Sequence, residues 1–312
     1  MKILVTGGAG FIGIHLCKRL LDMGHEVICM DDFSTSWLHS EVDKLRRNRR
    51  FSFMHHDVQH PFDVNCDQIY HLACPASPVH YQRDPVRTIK TAFLGTMNAL
   101  QNAKNHDARM LITSTSEVYG DPSVNPQPET YFGNVNTLGI RASYDEGKRA
   151  GEALAFSWVQ QYQTDVRIAR LFNSYGPFMA SGDGRLLPNL ISQALSGRDL
   201  TVYGTGEQTR SFCYVEDTIR GLMLLMGIHE TGSISVVNIG NPDERSIISM
   251  ATMVIELTRS ESKIVFEPLP GDDPKQRCPD ISKAISLLGW RPQVGLYDGL
   301  NLMIKSFKEN RL

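Results

Sequence analysis

Short apolar runs alternate with amphipathic stretches over the first 173 residues of the chain. The apolar runs have the length of strands, and they occupy residues 2–6, 26–32, 51–57, 66–73, 109–116 and 165–171. The stretches between them have the length of crossover connections. Strands that alternate with helices in this way predict an α/β fold, with a doubly wound parallel sheet of the Rossmann type that helices cover on both faces.

Three of the intervening stretches carry a clear helical period. The helix after the first strand is apolar at Ile12, Leu16 and Leu20. Two longer helices are predicted over residues 84–104 and 144–163. Because these two helices are long and follow one another along the chain, the pattern favours a homodimer that packs through a helix bundle.

The pattern changes after Asn173. Residues 176–195 look irregular, and residues 201–212, "TVYGTGEQTRSF", are predicted to form a hairpin with a glycine turn. The last third of the chain mixes short strands with two helices, which indicates a smaller C-terminal domain. We assign residues 1–173 and 212–241 to the sheet domain, and residues 174–211 and 242–312 to the smaller domain.

Composition and charge restrict the kinds of partner. The chain has 312 residues and a formal net charge of −2, so it has no basic field to attract nucleic acid or anionic lipid, and the basic run at residues 44–50 is interpreted as a solvated face. No apolar run is long enough to span a membrane or to act as a signal peptide. Six cysteines without a C-x-x-C pair favour a reducing compartment. We therefore expect a cytoplasmic protein with neither a nucleic-acid nor a membrane partner.

A glycine-rich turn, "TGGAGFIG", follows the first strand. Gly7, Gly10 and Gly13 would respectively make the turn, let the backbone approach a pyrophosphate and let the helix pack on the sheet. Tight turns also use glycine, but here a strand precedes the triplet, a helix follows it, and Asp31 ends the second strand, which completes a dinucleotide-binding fingerprint. Asp31 can accept hydrogen bonds from both ribose hydroxyls and would repel a 2′-phosphate, which favours NAD over NADP.

The third strand ends in the polar run "HHD" at residues 55–57. Asp57 and Val58 are placed to meet the adenine of the dinucleotide. We prefer a polar strand end to a metal site, because no further Cys, His or Glu group stands near this run, and no metal is expected.

Tyr144 and Lys148 stand four residues apart, so both side chains lie on one face of the predicted helix. Y-x-x-x-K is common on helix surfaces, but here it follows a glycine loop and a strand, "MLITSTSEVYG", that ends in hydroxyls and Glu117. An ammonium beside a phenol, together with a nicotinamide cation, favours a phenolate that can take a proton from a sugar hydroxyl. Because carboxyl ends of parallel strands face the ligand crevice, the hydroxyls and Glu117 are expected to face the substrate.

These motifs resemble those of the extended short-chain dehydrogenase/reductase family, which includes sugar-nucleotide epimerases, dehydratases and decarboxylases, and the resemblance covers nearly the whole chain. The chain is most similar to the branch that decarboxylates a UDP-linked uronic acid. The similarity rests on the runs "TGGAGFIG", "DQIYHLACPASP", "STSEVYGDP", "YDEGKR", "DGRLLPNLISQAL", "TVYGTGEQTRSFCYVED", "NIGNPDE" and "DDPKQRCPDI".

The resemblance implies that the sheet domain binds NAD and that the smaller domain binds a nucleotide sugar. The implied cofactor-binding residues are Gly7, Gly10, Phe11, Ile12, Gly13, Asp31, Asp32, Asp57, Val58, Leu72, Cys74, Thr91, Tyr144 and Lys148. The implied substrate-binding residues are Lys90, Asn98, Asn173, Arg185, Tyr203, Arg210 and Arg277. For the first six of these, an ordinary surface or capping role is the alternative.

The resemblance also implies a catalytic set, namely Thr115, Ser116, Glu117, Tyr144, Lys148 and Arg277. Thr115 would assist Tyr144, Ser116 and Glu117 would handle the sugar ring and a protonation step, and Arg277 would orient the substrate carboxylate. The dehydratases of the family carry an Asp-Glu pair where this chain has Ser116-Glu117, which argues against dehydration.

The implied reaction is the NAD-dependent decarboxylation of UDP-glucuronate to UDP-xylose, through a UDP-4-keto intermediate and with NADH reused inside the enzyme. A UDP-glucuronate or UDP-glucose 4-epimerase, which shares the first step, is the alternative among enzymes. A non-catalytic NAD-sensing scaffold is the alternative of another class, against which Thr115, Tyr144 and Lys148 argue.

The chain departs from the family pattern at Cys74, Ala92, Phe178 and Ala180. Ala92 and Phe178 remove polar groups, so these changes bear on cofactor retention, on loop order and on the release of the keto intermediate. The departures leave Tyr144, Lys148 and Glu117 in place.

Overall fold

The computed structural model describes residues 1–229, 233–269 and 276–309. Its central feature is a seven-stranded parallel sheet with the strand order β11-β6-β5-β4-β1-β2-β3. The strands are β1 (Lys2–Thr6), β2 (Glu26–Asp31), β3 (Phe51–His55), β4 (Gln68–His71), β5 (Arg109–Thr115), β6 (Val166–Leu171) and β11 (Ser235–Ile239). The doubly wound parallel sheet predicted from the sequence is confirmed.

Helices cover both faces of this sheet. The helices of the described residues are α1 (Phe11–Asp22), α2 (His39–Leu45), α3 (Pro78–Arg83), α4 (Pro85–Asn105), α5 (Ala142–Tyr162), α6 (Leu186–Leu195), α7 (Val215–Gly227), α8 (Ile247–Thr258), α9 (Ser282–Leu288) and α10 (Leu296–Glu309), and a short 3-10 helix spans Ser116–Tyr119. Of these, α1, α4, α5, α7 and α9 pack on strands of the sheet, whereas α6, α8 and α10 pack on one another. None of the helices in the described part of the chain is both long and apolar enough to cross a membrane.

The apolar run of β1 is buried on both sides because successive side chains point to opposite faces of the sheet. Ile3 and Val5 belong to the core cluster that includes Leu20 of α1, whereas Leu4 belongs to the cluster that includes Leu100 of α4. A strand between two helical layers therefore needs apolar side chains on both of its faces, as β1 has at Ile3, Leu4 and Val5.

The strand register brings the carboxyl ends of the central strands to one edge of the sheet. Thr6, at the end of β1, is paired with Met30 of β2 on one side and with His71 of β4 on the other. The loops that follow these strands consequently open onto the same crevice, which is where ligands bind in open α/β sheets.

Helices α4 and α5 lie against each other at close range. An added Cβ at Gly147 of α5 would lie 3.0 Å from the Cβ of Ala92 in α4, and one at Gly151 would lie 3.3 Å from Thr96 Oγ1. The amino end of α4 is capped by Asp84, whose Oδ1 accepts from the backbone N–H of Arg87 at 3.0 Å. The absence of side chains at Gly147 and Gly151 thus allows α5 to pack closely against α4.

The hairpin predicted over residues 201–212 is wrong. The three small sheets pair β7 (Ser174–Tyr175) with β10 (Cys213–Tyr214), β8 (Leu200–Tyr203) with β13 (Ile264–Glu267), and β9 (Thr209–Ser211) with β12 (Glu244–Ser246). Gly204 and Gly206 both have positive φ, as the glycine turn suggested, but the loop between them and β9 separates the two strands. Each strand then pairs with a segment from later in the chain, which a local turn signal does not reveal.

Candidate active site

A cleft of about 600 Å³ opens at the carboxyl ends of the central strands. Its lining contains all of the residues expected to hold the dinucleotide, namely Gly7, Gly10, Phe11, Ile12, Gly13, Asp31, Asp32, Asp57, Val58, Leu72, Cys74, Thr91, Tyr144 and Lys148. It also contains the expected catalytic residues Thr115, Ser116, Glu117 and Arg277. The structure therefore brings these groups together, and their individual roles stay predictions.

The glycine loop has the close backbone contacts that a pyrophosphate cradle needs. Gly7 has φ of +69°, and an added Cβ there would lie 2.7 Å from the backbone N of Ala73. An added Cβ at Gly13 would lie 2.2 Å from the carbonyl oxygen of Gly7. The backbone N–H of Ile14 donates to the carbonyl of Gly10 at 2.9 Å, so α1 begins at the loop and directs its amino end at the cleft. A dinucleotide fits these residues.

Asp31 is held by the backbone on both sides. Its Oδ2 accepts from the N–H of Ala9 at 3.1 Å, and its Oδ1 accepts from the N–H of Phe33 at 2.8 Å. Burial raises the pKa of Asp31, and the two backbone donors counteract part of that rise. The carboxylate is thus fixed at the end of β2, the position that the ribose fingerprint requires.

An arginine that the sequence reasoning missed joins the loops that follow β2 and β3. Arg87 Nη2 donates to Asp32 Oδ2 at 2.6 Å and to Asp57 Oδ2 at 3.0 Å. These carboxylates follow β2 and β3, so one guanidinium ties both strand ends together and offsets part of their negative charge. The first turn of α4 offered no motif that would have identified Arg87.

Tyr144 and Lys148 project from α5 toward the end of β5. Lys148 Nζ donates to the carbonyl of Thr113 at 2.8 Å, and the Thr115 side chain acts on the Tyr144 hydroxyl in the direction that lowers its pKa. The Tyr144 ring stacks on Tyr81, with centroids 5.2 Å apart and planes 6° apart. Burial, followed by Cys74, raises the pKa of Tyr144, so the surrounding protein groups by themselves favour the neutral phenol.

Glu117 lies between two guanidinium groups. Arg277 Nη1 donates to Glu117 Oε1 and to Ser116 Oγ, the latter at 3.0 Å, and Arg141 Nη2 donates to Glu117 Oε2. Burial opposes ionisation of Glu117, but Arg277 and then Arg141 outweigh it and hold its pKa at about 2. Glu117 is therefore an anion at neutral pH.

Both terminal nitrogens of Arg277 donate hydrogen bonds to other protein groups. Besides Ser116 and Glu117, it donates through Nη2 to the carbonyl of Gly120 at 3.2 Å, and it is 2% exposed. Arg141, which the sequence reasoning missed, is the second arginine of this group and lines the cleft. Its position three residues before Tyr144, hence on the same helical face, is the signal that could have identified it.

Asp145, also missed, completes this buried group. Its Oδ2 lies 3.8 Å from Arg141 Nε, and its Oδ1 is buried without a hydrogen-bond partner in the described part of the chain. Burial, followed by the negative charge of Glu117, raises the pKa of Asp145 to about 7. At neutral pH the group consequently has two arginines, one full carboxylate and one carboxyl that is only partly ionised.

Four of the expected substrate-binding residues besides Arg277 line the cleft, namely Asn173, Arg185, Tyr203 and Arg210. Two expected residues do not. Asn98 is buried in α4, where its Nδ2 donates to the carbonyl of Val58 at 2.8 Å, so it supports the loop after β3. Lys90 lies on the exposed side of α4, beside a separate shallow opening next to Arg87. Both follow the helix period of α4, which turns them away from the cleft.

The departures from the family pattern fall in different places. Cys74, Phe178 and Ala180 line the cleft. The Phe178 ring lies 4.1 Å from Lys18 Nζ and 5.2 Å from the His15 ring centroid. Ala92 is buried between α4 and α5 instead. Of the run "DDPKQRCPDI", residues 272–275 lie outside the described residues. Within the described ranges, no group of three or more His, Cys, Asp or Glu side chains could hold a metal ion.

A parallel sheet, a glycine turn that opens a helix, and a tyrosine and lysine one helical turn apart in the same cleft define a short-chain dehydrogenase/reductase. The sequence profile of the NAD dependent epimerase/dehydratase family matches residues 3–240, and the chain belongs to this family. The assignment to the extended branch of the short-chain dehydrogenase/reductases is confirmed.

Known proteins similar to this chain cover almost all of it. UDP-glucuronic acid decarboxylase 6 of Arabidopsis thaliana is 52% identical over 99% of this chain and 89% of that protein. UDP-glucuronic acid decarboxylase 1 of Xenopus tropicalis is 48% identical over 99% of this chain and 72% of that protein. Among solved structures, UDP-glucuronic acid 4-epimerase from Bacillus cereus, in complex with UDP-glucuronic acid and NAD, is similar with a TM-score of 0.90 and 31% identity over 99% of both chains.

Proposed function

We propose that this protein decarboxylates UDP-glucuronate to UDP-xylose, with NAD as a cofactor that is regenerated in each cycle. The observation that carries the proposal is the convergence of Tyr144, Lys148 and Thr115 with the Arg141–Glu117–Arg277 group in one dinucleotide cleft. The first set can start the oxidation of a sugar hydroxyl, and the second can receive a sugar that carries an acid group. The identity of about 50% to decarboxylases from plants and a frog supports the same reaction.

The first step is removal of the proton from the hydroxyl on carbon 4 of the sugar. When bound, NAD supplies a reversible acceptor for the hydrogen on that carbon, and its nicotinamide supplies the positive charge that favours the phenolate. Tyr144 takes the hydroxyl proton, Thr115 favours its loss from the phenol by lowering the pKa of Tyr144, and Lys148, on the same face of α5, is held by the carbonyl of Thr113.

Oxidation at carbon 4 makes loss of the acid group easy. The new ketone is β to the carboxylate, so the bond from carbon 5 to the carboxyl carbon can break with its electrons held in an enolate, which the proton on Tyr144 stabilises. Carbon 5 then takes a proton and carbon 4 is reduced again, without net redox change. Glu117, with a pKa of about 2, serves here as an anion that orders its neighbours.

The test is incubation of the purified protein with UDP-glucuronate, followed by mass spectrometry of the nucleotide sugars. We expect carbon dioxide and a UDP-pentose. The likeness to the Bacillus cereus 4-epimerase favours the second candidate, a 4-epimerase, which would yield UDP-galacturonate and no carbon dioxide. Unchanged UDP-glucuronate after a long incubation would contradict both of these activities and leave a UDP-glucose 4-epimerase or the NAD-sensing scaffold.

We also propose a homodimer formed through α4 and α5. Val86, Ile89 and Phe93 are 60%, 40% and 37% exposed and share one face of α4, and Phe156 on α5 is 54% exposed. Two copies would cover these apolar side chains with a four-helix bundle. Light scattering on a sizing column should give twice the chain mass, and Phe93→Glu should give a monomer, whereas Val265→Glu on exposed β13 should not.

The cytoplasmic location and the division into two domains also stay proposals. All six cysteines are free thiols, which suits a reducing compartment. Fractionation of the source cells, with the thiols titrated in the recovered protein, would test the location.

The division into two domains would be tested by limited proteolysis with and without UDP.

A further inference from the structure

Two guanidinium groups share one carboxylate in the buried group around Glu117. Arg141 and Arg277 both bind the carboxylate of Glu117. Asp145 Oδ2 lies 3.8 Å from Arg141 Nε, but Asp145 makes no hydrogen bond to either arginine in the described part of the chain. Because buried charges are normally both paired and hydrogen bonded, two guanidinium groups on one hydrogen-bonded carboxylate leave a place for a second anion beside them.

The two arginines differ in what they can offer to such an anion. Arg277 is 2% exposed and uses both terminal nitrogens on Ser116, Glu117 and the carbonyl of Gly120. Within residues 1–229, 233–269 and 276–309, Arg141 makes one side-chain hydrogen bond, to Glu117. Its Nε is buried and lies 3.8 Å from Asp145 Oδ2, whereas its Nη1 is not buried and makes no hydrogen bond there. Because Arg141 lines the cleft and 16% of its side chain is exposed, Nη1 can donate to a ligand in the cleft.

The position of Arg141 suits the acid group of a uronate. Arg141 is the N-terminal capping residue of α5, and Tyr144 donates its backbone N–H to the Arg141 carbonyl at 3.0 Å. Tyr81 connects the two side chains, because its ring stacks on Tyr144 at 5.2 Å and lies 5.9 Å from the Arg141 guanidinium carbon. In a hexuronate the oxidised carbon and the carbon that bears the carboxylate are neighbours, so both arginine and base can reach one sugar.

We propose that Arg141 is the residue that selects a sugar with a carboxylate on carbon 5, by binding that carboxylate through its free guanidinium donors while Arg277 holds Glu117 in place. The inference rests on the proposed function, since it names how the substrate of that reaction is recognised. It moves the carboxylate-binding role that the sequence suggested for Arg277 to Arg141. Arg277 becomes a positioning residue.

The experiment compares a ligand that has the carboxylate with two that lack it. Dissociation constants for UDP-glucuronate, UDP-xylose and UDP-glucose would be measured by calorimetry on NAD-loaded protein that carries Tyr144→Phe to prevent turnover, with Arg141 unchanged, Arg141→Met or Arg141→Lys. For Arg141→Met we expect a loss of about 10- to 100-fold for UDP-glucuronate, the usual effect of removing charge-assisted hydrogen bonds, and less than about threefold for the other two. Arg141→Lys should recover part of the affinity for UDP-glucuronate alone.

Equal losses for all three ligands, or no loss for UDP-glucuronate, would overturn the inference. If Arg141→Met does not fold, Arg141→Lys provides the same comparison. Its affinity for UDP-glucuronate relative to UDP-glucose and UDP-xylose must also be lower than that of the protein with Arg141. If the wild type produces UDP-pentose but the Arg141 variants keep their preference for the uronate, the role of Arg141 is wrong and the proposed function stands. If the wild type produces no UDP-pentose, the proposed function itself is wrong.

Discussion

The two ends of the cleft are built in different ways. At the end that we propose binds the dinucleotide (the dinucleotide end), Gly7, Gly13 and Asp31 are fixed by backbone contacts with residues close to them in sequence or on the adjacent strand. At the end that we propose binds the sugar (the sugar end), Glu117 is fixed by Arg277, 160 residues later, and by Arg141, 24 residues later. The first kind of site leaves a local motif in the sequence, and the second does not. The predictions below test this contrast.

Tyr144 lies where the two ends meet, and its loss should have the largest effect. Tyr144→Phe removes the hydroxyl that takes the substrate proton, so turnover of UDP-glucuronate should fall by about 10³-fold. NAD binding, followed by fluorescence, should change little. Tyr297→Phe, at an exposed position in α10, is the control. Normal turnover in Tyr144→Phe would show that the base lies elsewhere.

Gly13→Ala should disable the dinucleotide end alone. The new methyl group would lie 2.2 Å from the Gly7 carbonyl, and because both partners are backbone, no side chain can move aside. We expect the dissociation constant for NAD to rise by about 100-fold or more. Gly227→Ala is the matched control, since an added Cβ there meets nothing within 4 Å. Retained NAD affinity in Gly13→Ala would contradict the assignment of the cradle.

Asp145 should make the sugar end sensitive to pH. Its pKa is raised from 3.8 to about 7 on folding, so the folded protein binds the proton more tightly than the unfolded chain. Asp145 therefore lowers the free energy of unfolding as pH rises from about 4 to 7. Asp145→Asn cannot ionise, so its stability relative to wild type should increase by on the order of 1–2 kcal/mol between pH 5 and pH 7.

Urea unfolding of both proteins at the two pH values measures this difference. Glu146→Gln, the next position of the same helix, is the control and should show no comparable change relative to wild type. A constant difference between Asp145→Asn and wild type would mean that Asp145 is ionised throughout the range.

Arg87 should give the smallest effect. It qualifies the contrast, because the dinucleotide end also contains two long-range ion pairs, from Arg87 to Asp32 and to Asp57. Arg87→Met releases Asp32 and Asp57, which lie at the ends of two different strands. These groups are partly exposed, so NAD affinity should fall by only about three- to fivefold. Arg87→Lys should recover most of the loss, and Arg83→Met on the exposed end of α3 should cause none. An unchanged NAD affinity in Arg87→Met would mean that the ion pairs of Arg87 with Asp32 and Asp57 have no role in NAD binding.

The parts of the fold that the sequence predicted are those governed by local rules. The strand period, the glycine turn and the acid at the end of β2 each depend on a few neighbouring residues, and all are present in the structure. The hairpin over residues 201–212 failed because glycine specifies a turn but not the partner of each strand. Strand pairing of that kind is decided by tertiary packing.

The same reason explains why the structure places some of the predicted site residues away from the cleft. Asn98 and Lys90 were placed by resemblance, but the period of α4 points one into the core and the other outward. Arg141 carries no motif of its own, and only the fold shows that its guanidinium meets Glu117. Phe178 and Ala180 line the cleft as substitutions whose chemical effect nothing in the structure explains.

The distance between α4 and α5 determines how far Tyr144 and Lys148 extend into the cleft. Gly147 lies between Tyr144 and Lys148 on the side of α5 that faces Ala92, where a single methyl group would already be only 3.0 Å from its neighbour. Any bulk added there would push base and ammonium forward together, because one rigid helix carries both. The size of the side chain at position 147, on the side of α5 away from the sugar, thus sets how far the Tyr144 phenol extends into the cleft.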